Sequence, residues 1–260
     1  MFKTSCALGL AAGLVALAPA AHAYPVAVFD DPAIVDSGNG PFSESDTVQQ
    51  ALSALGHDVT AFTGLDGNAF ATALSGQFNL VLPEPESGGF GQLAPEAITR
   101  IVDFVFNGGR LVAIFPATRM VTFLNDAFGF SLGFAGCLSA GMRDDVAGTG
   151  FETSVASIDC MNATVTLVGS TLPAGAQSVY TNAQGNSLVA FLPFGSGSIV
   201  TLGWDFFNAA PLGSVGANDW LPVLDLSLID AQGTTVPVPA TLALFGLGLI
   251  GLAAHRRRTV

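Results

Sequence analysis

Any chemistry in this chain falls to carboxylates. Between Tyr24 and Thr235 the sequence holds all twenty Asp and Glu, four arginines, no lysine and one histidine, His57. Acid pairs stand at Asp30-Asp31 and in Pro83-Glu84-Pro85-Glu86, and Asp205 follows a late hydrophobic run. Paired carboxylates can hold a divalent cation or act as acid and base in glycoside cleavage. Plainer readings stay open beside that one: turn caps at Asp30-Asp31, a solvated rigid loop at Glu84 and Glu86, and Arg119 as counter-ion. No residue is assigned as a metal ligand and no cofactor is expected. A calcium-type cation is the alternative that the acids leave open.

The other nucleophile and base types are nearly absent. His57 lies in Leu55-Gly56-His57-Asp58-Val59, after a predicted helix and before a predicted strand. That places it on the edge of a sheet away from ligands, where a structural role is expected. A lone histidine removes most metallohydrolases and every Ser-His-Asp or Cys-His mechanism unless His57 itself serves. An excess of sixteen negative charges over residues 24–235 opposes nucleic acid and anionic lipid headgroups.

The elements that must position these acids alternate. Strands are predicted at Tyr24–Asp30, Val59–Phe62, Phe78–Leu82 and Arg110–Phe115. Helices are predicted at Ser43–Leu55, Asn68–Leu74, Pro95–Phe106 and Thr118–Phe128. Ser43-Glu44-Ser45-Asp46 resembles a capping box, and Pro95 fits a first helical turn. Residues 129–186 are Gly-rich and read as short irregular strands. Ser187–Pro193 and Ser198–Trp204 follow as a hairpin, and a helix over Asn218–Leu228 closes the body. Repeated βα units predict an α/β fold with a doubly wound, mostly parallel sheet spanning residues 24–230. In such sheets ligands sit at the carboxyl ends of strands, which gathers Asp30, Asp31, Glu84, Glu86, Arg119 and Asp205 on one edge.

The two ends of the chain carry membrane-directed segments. Lys3, an apolar stretch over Ala7–Pro19 and Ala21-His22-Ala23 form a signal peptide, residues 1–23, cleaved between Ala23 and Tyr24. At the other end a linker, 231–235, leads to Val236-Pro237-Val238-Pro239. An apolar run over 240–254 and Arg256-Arg257-Arg258 complete the segment 236–260. The run reaches roughly 22 Å as a helix, and snorkelling arginines extend it to a short transmembrane span with its basic end cytoplasmic. In the oxidising compartment this implies, Cys137 and Cys160 are expected to form a disulfide.

This tail resembles the PEP-CTERM sorting signal of Gram-negative bacteria, usually Val-Pro-Glu-Pro before the helix, with Val238 standing where that family has Glu. The resemblance implies recognition by an exosortase, transient anchoring in the inner membrane, and a destination at the cell surface or in an exopolysaccharide matrix. A second resemblance rests on Asn79-Leu80-Val81-Leu82-Pro83, on Gly108-Gly109-Arg110-Leu111-Val112-Ala113-Ile114 and on Gly197-Ser198-Ile199-Val200-Thr201-Leu202-Gly203. These are similar to the class I glutamine amidotransferase-like domain, a flavodoxin-like sandwich. It implies that the nucleophile position falls on Phe115, so that amidotransferase chemistry is lost. The expected function is an exported surface or matrix protein whose body is a non-enzymatic binding or structural module. A secreted carboxylate-dependent hydrolase and a permanently anchored protein on the periplasmic face are the alternatives.

Overall fold

The computed structural model describes residues 23–115, 118–144, 146 and 150–228. The signal peptide up to residue 22, the linker 231–235 and the tail 236–260 with its apolar run 240–254 lie outside the described residues. Among the described residues no helix is long and apolar enough to cross a membrane.

The first half of the body winds as its sequence predicts. Strands β1 (Pro25–Phe29), β2 (Asp58–Phe62), β3 (Asn79–Leu82) and β4 (Arg110–Ile114) alternate with helices α1 (Glu44–Ala54), α2 (Gly67–Ala73), α3 (Pro95–Phe106) and α4 (Thr118–Phe128). Local chemistry sets the helix ends. The Ser43 hydroxyl accepts from the Asp46 amide to cap α1. The Asp66 carboxylate caps α2 by accepting from the amides of Asn68 (2.8 Å) and Ala69 (3.0 Å). Pro95 opens α3, and Gly108 at φ +108° lies just past its end, a conformation costly for residues with a Cβ.

The second half departs from expectation. Five short strands follow: β5 (Phe134–Gly136), β6 (Gly141–Arg143), β7 (Ser157–Ile158), β8 (Val165–Leu167) and β9 (Gln177–Thr181). The hairpin is β10 (Ser187–Phe194) and β11 (Gly197–Leu202), and the closing helix α5 spans Trp220–Ser227. All eleven strands join one sheet, in the order β2-β1-β3-β4-β11-β10-β9-β6-β7, with β8 bridging β10 and β5. Among the described residues only the four strand pairings from β2 through β11 are parallel. The other six are antiparallel. The expectation of a mostly parallel sheet is therefore corrected to a mixed one. The cause is the hairpin: β11 inserts beside β4 as a parallel strand, so β10 must run antiparallel, and the short strands extend from it.

Side chains of the central strands alternate between two layers. Ala27, Phe29, Leu80, Leu82, Leu111 and Ala113 face α2, α3 and α4, where Phe29 packs against Phe62, Phe70 and Phe90. Val26, Val28, Val81, Val112 and Ile114 face α1 and α5, where Trp204 stacks on Trp220 at 5.6 Å. Cys137 and Cys160 form a disulfide with a Cα–Cα distance of 5.7 Å, stapling the stretch that carries β6 and β7.

That bridge closes a loop of about two dozen residues, worth about 3 kcal/mol by constraint of the unfolded chain. Cys160→Ser should lower the thermal midpoint of the oxidised protein and abolish its sensitivity to reductant. Equal midpoints for wild type with and without reductant would show the bridge to be idle.

Candidate functional site

The carboxyl ends of β1, β3, β4 and β11 point the same way, and the segments leaving them meet above the sheet. Four carboxylates gather there. Glu84 and Glu86 follow β3, Asp205 follows β11, and Glu44 comes from the first turn of α1. Glu84 and Glu44 are each 5 % exposed, and each has an Oε2 with no hydrogen-bond partner. Burial pushes Glu84 up to about 9, helped by the charges of Asp205, Glu86 and Glu44. Burial likewise pushes Glu44 up to about 7, opposed by its backbone hydrogen bond and reinforced by Asp205, Glu86 and Asp36. Asp205 is raised by burial too, although the Phe207 amide donates to its Oδ1 at 2.7 Å and pulls the other way. At neutral pH Glu84 thus keeps its proton, while Glu44, raised only to about 7, is near its midpoint. Separating the protonation of neighbouring carboxylates is how one site supplies both an acid and a base.

The remaining expected residues take other roles. The Asp31 carboxylate accepts from Ala33 N (3.0 Å) and Gly64 N (2.8 Å), tying the β1–α1 segment to the β2–α2 segment. Asp30 keeps a buried Oδ1 without a partner, while its amide donates to Phe62 O at 2.8 Å. The Arg119 guanidinium donates to the carbonyls of Pro85 (3.1 Å), Glu86 (2.7 Å) and Gly88 (3.2 Å). It holds the backbone of the acidic loop rather than neutralising its carboxylates. Beside it lies a groove of about 520 Å³, lined by Gln92, Ile98, Arg119, Phe123 and Asp126 but by none of the four clustered acids.

Glu44 was legible only as part of a helix cap. In a parallel α/β unit the first turn of a helix follows the carboxyl end of a strand, and that topological rule could have added Glu44 to the edge. Two exposed aromatics were also missed. Phe42 and Phe207 lie 5.2 Å apart beside Glu44 and Asp205, on segments pinned together by Asn208 N to Pro41 O (2.6 Å) and Thr47 Oγ1 to Phe206 O (2.7 Å). Among the described residues no group of three or more His, Cys, Asp or Glu side chains is placed to hold a metal ion. Phe115, at the position that the amidotransferase resemblance gives to the nucleophile, is fully buried.

His57 sits at the opposite, amino edge. Its Nδ1 accepts from Tyr24 N at 3.3 Å, and its Nε2 lies 2.9 Å from Asp225 Oδ1.

Comparison with known proteins adds two findings. Residues 235–258 match the PEP-CTERM protein-sorting motif. The tail is a sorting signal. It implies recognition by an exosortase, export with transient membrane anchoring before processing, and an end point at the cell surface. The body is similar to a ThuA-like protein from Parabacteroides merdae ATCC 43184, at 14 % identity over 84 % of this chain and 94 % of that one, with a TM-score of 0.51. A cytoplasmic protein from Salmonella typhimurium LT2 aligns at 14 % identity over 77 % of this chain and 98 % of its own, also with a TM-score of 0.51. An exo-beta-1,4-mannosidase from Opitutaceae bacterium strain TAV5 aligns at 16 % identity and a TM-score of 0.46, over 70 % of this chain. The chain spans only 31 % of that enzyme's length. No curated protein matches in sequence. Identities this low show the fold alone, a mixed α/β sheet with ThuA-like neighbours.

The raised carboxyl groups make stability depend on pH with a definite sign. From the ordinary value of 4.5 up to about 9, folded Glu84 binds more proton than the unfolded chain does, so stability falls as pH rises through that window. Thermal midpoints should be higher at pH 5 than at pH 8. Glu84→Gln, which mimics the protonated form, should raise the midpoint at pH 8 by roughly 5 °C and change it little at pH 5. An equal effect at both pH values would contradict the assignment.

Proposed function

We propose that this chain is exported across the inner membrane of a Gram-negative bacterium and held briefly by its apolar run at 240–254. It is then processed by an exosortase-type enzyme and delivered to the surface or to an exopolysaccharide-associated matrix. Its α/β body serves there as a non-enzymatic binding or structural module. The observation that carries this reading is the sorting motif at 235–258. The disulfide and the lysine-free acidic body fit an exported, oxidised destination. The buried Phe115 fits a body without amidotransferase chemistry.

Intact mass and terminal peptide mapping test the proposal on protein recovered from cells and medium. The expected form begins at Tyr24, ends between Val236 and Ala240, and is recovered outside the membrane fraction. A stable membrane form retaining Arg256, Arg257 and Arg258 would replace it with the permanent-anchor reading, in which Val238 blocks processing.

One observation favours a second reading, the carboxylate-dependent secreted hydrolase. Glu84 is held protonated among neighbouring carboxyl groups, and a protonated acid near a second carboxyl group is the starting arrangement of glycoside cleavage. Assay of the processed protein against chromogenic glycosides separates the two readings. Turnover that Glu84→Gln reduces by about a hundredfold or more would establish the hydrolase. Absence of turnover in the wild type would leave the binding module.

A further inference from the structure

We propose that His57 and Asp225 form the receptor for the chain's own processed amino terminus, so that removal of the signal peptide completes a relay from Tyr24 N through His57 to Asp225. The inference rests on the export reading and goes beyond it, because it assigns a role to a site at the amino edge, remote from the acidic cluster.

The geometry is specific. Tyr24 N lies 3.3 Å from His57 Nδ1, and His57 Nε2 lies 2.9 Å from Asp225 Oδ1. A backbone nitrogen can only donate here, so Nδ1 accepts, and the neutral ring carries its proton on Nε2 and donates it to Asp225. The Tyr24 and His57 rings lie 5.7 Å apart. Position is held by the main chain: Asp58 N donates to Tyr24 O at 3.0 Å and His57 N to Leu52 O at 3.1 Å. The His57 side chain is 1 % exposed, whereas Asp225 is 39 % exposed, so the imidazole is a buried bridge with its charged end at the surface. Ala23 is exposed, which puts the expected scissile bond at the surface directly beside this bridge.

Cleavage changes the chemistry of one atom. In the precursor Tyr24 N is a neutral amide with one hydrogen. After hydrolysis between Ala23 and Tyr24, water supplies the new carboxyl oxygen to Ala23, and Tyr24 N becomes an α-ammonium. The same nitrogen then gives a charge-assisted hydrogen bond to Nδ1, with the Asp225 carboxylate balancing it across the ring. The ionisable groups brought to this corner are His57 from the α1–β2 link, Asp58 at the start of β2 and Asp225 on α5. Helix α5 is the last described element before the sorting tail, so the relay joins the amino-terminal processing site to the stem of the carboxy-terminal signal.

The composition makes the test clean. The only lysine is Lys3, inside the signal peptide, so Tyr24 N is the sole primary amine of a protein beginning at Tyr24. Amine-selective acetylation of the processed protein therefore neutralises that atom alone. At pH 7 acetylation should lower the thermal midpoint of wild type by roughly 3 °C and leave His57→Gln unchanged. The free amine's stabilisation is full below about pH 8, its ordinary value, and is lost as pH rises past it, so acetylated and free protein should converge at pH 10. An acetylation shift absent in wild type, or equal in His57→Gln, overturns the relay. An amino terminus other than Tyr24 overturns it as well. The sorting reading is judged separately by where the carboxy terminus is cut.

Discussion

Burial of the central strands on both faces is the constraint on which the edge chemistry depends. Every residue of β3 and β4 is buried, because helices cover each side and β11 closes the parallel set. Strands in that position can end only by passing their chain into segments above the sheet, and those segments must pack on one another. Glu44 and Glu84 are consequently sealed at 5 % exposure. Asp205, which follows the last parallel strand, adds a third carboxyl group whose proton affinity is raised by burial. Like charges so confined cannot all ionise, and the first to give way is the one with the strongest desolvation, Glu84.

The loops that carry these acids are held by backbone contacts rather than by neutralising charge. Arg119 binds three carbonyls of the Pro85–Gly88 stretch, and the amides of Ser87 and Gly88 donate to Ile34 O at 2.9 and 3.1 Å. Asp31 ties the β1 and β2 segments, and Thr47 ties α1 to Phe206. A site built this way keeps its shape without an ion pair among the acids, which leaves their protonation to set its electrostatics. The same arrangement suits a binding surface and a general acid.

Much of the first half was readable because each segment carries a strong local signal. Leu80-Val81-Leu82 and Leu111-Val112-Ala113-Ile114 are unbroken apolar runs too short for helices, and Ala97, Ile101 and Val105 recur at helical spacing before Gly108. The direction of the second half was not readable. Strands of two or three residues such as Ser157–Ile158 carry no periodicity, and the sense of pairing depends on where β11 inserts, a tertiary fact. The candidate edge was legible where acids follow strands directly, as at Asp30, Glu84 and Asp205. It was illegible where the acid sits in the next helix, as at Glu44, or where a cation turns to carbonyls, as at Arg119. No local pattern brings Phe42 and Phe207 together, since the two loops meet only through the sheet.

The position of α5 links the body to its ends. Its first residue, Trp220, stacks on Trp204 just beyond the carboxyl end of β11, while Asp225 reaches His57, which accepts from Tyr24 N at the amino edge. The helix therefore runs antiparallel to the central strands and returns the chain to the edge where β1 began. Tyr24 and Leu228 pack in the same hydrophobic layer. One direction of winding accounts for this: parallel strands put all ligand-facing loops on one edge, and the closing helix, running the other way, returns the described chain to the other.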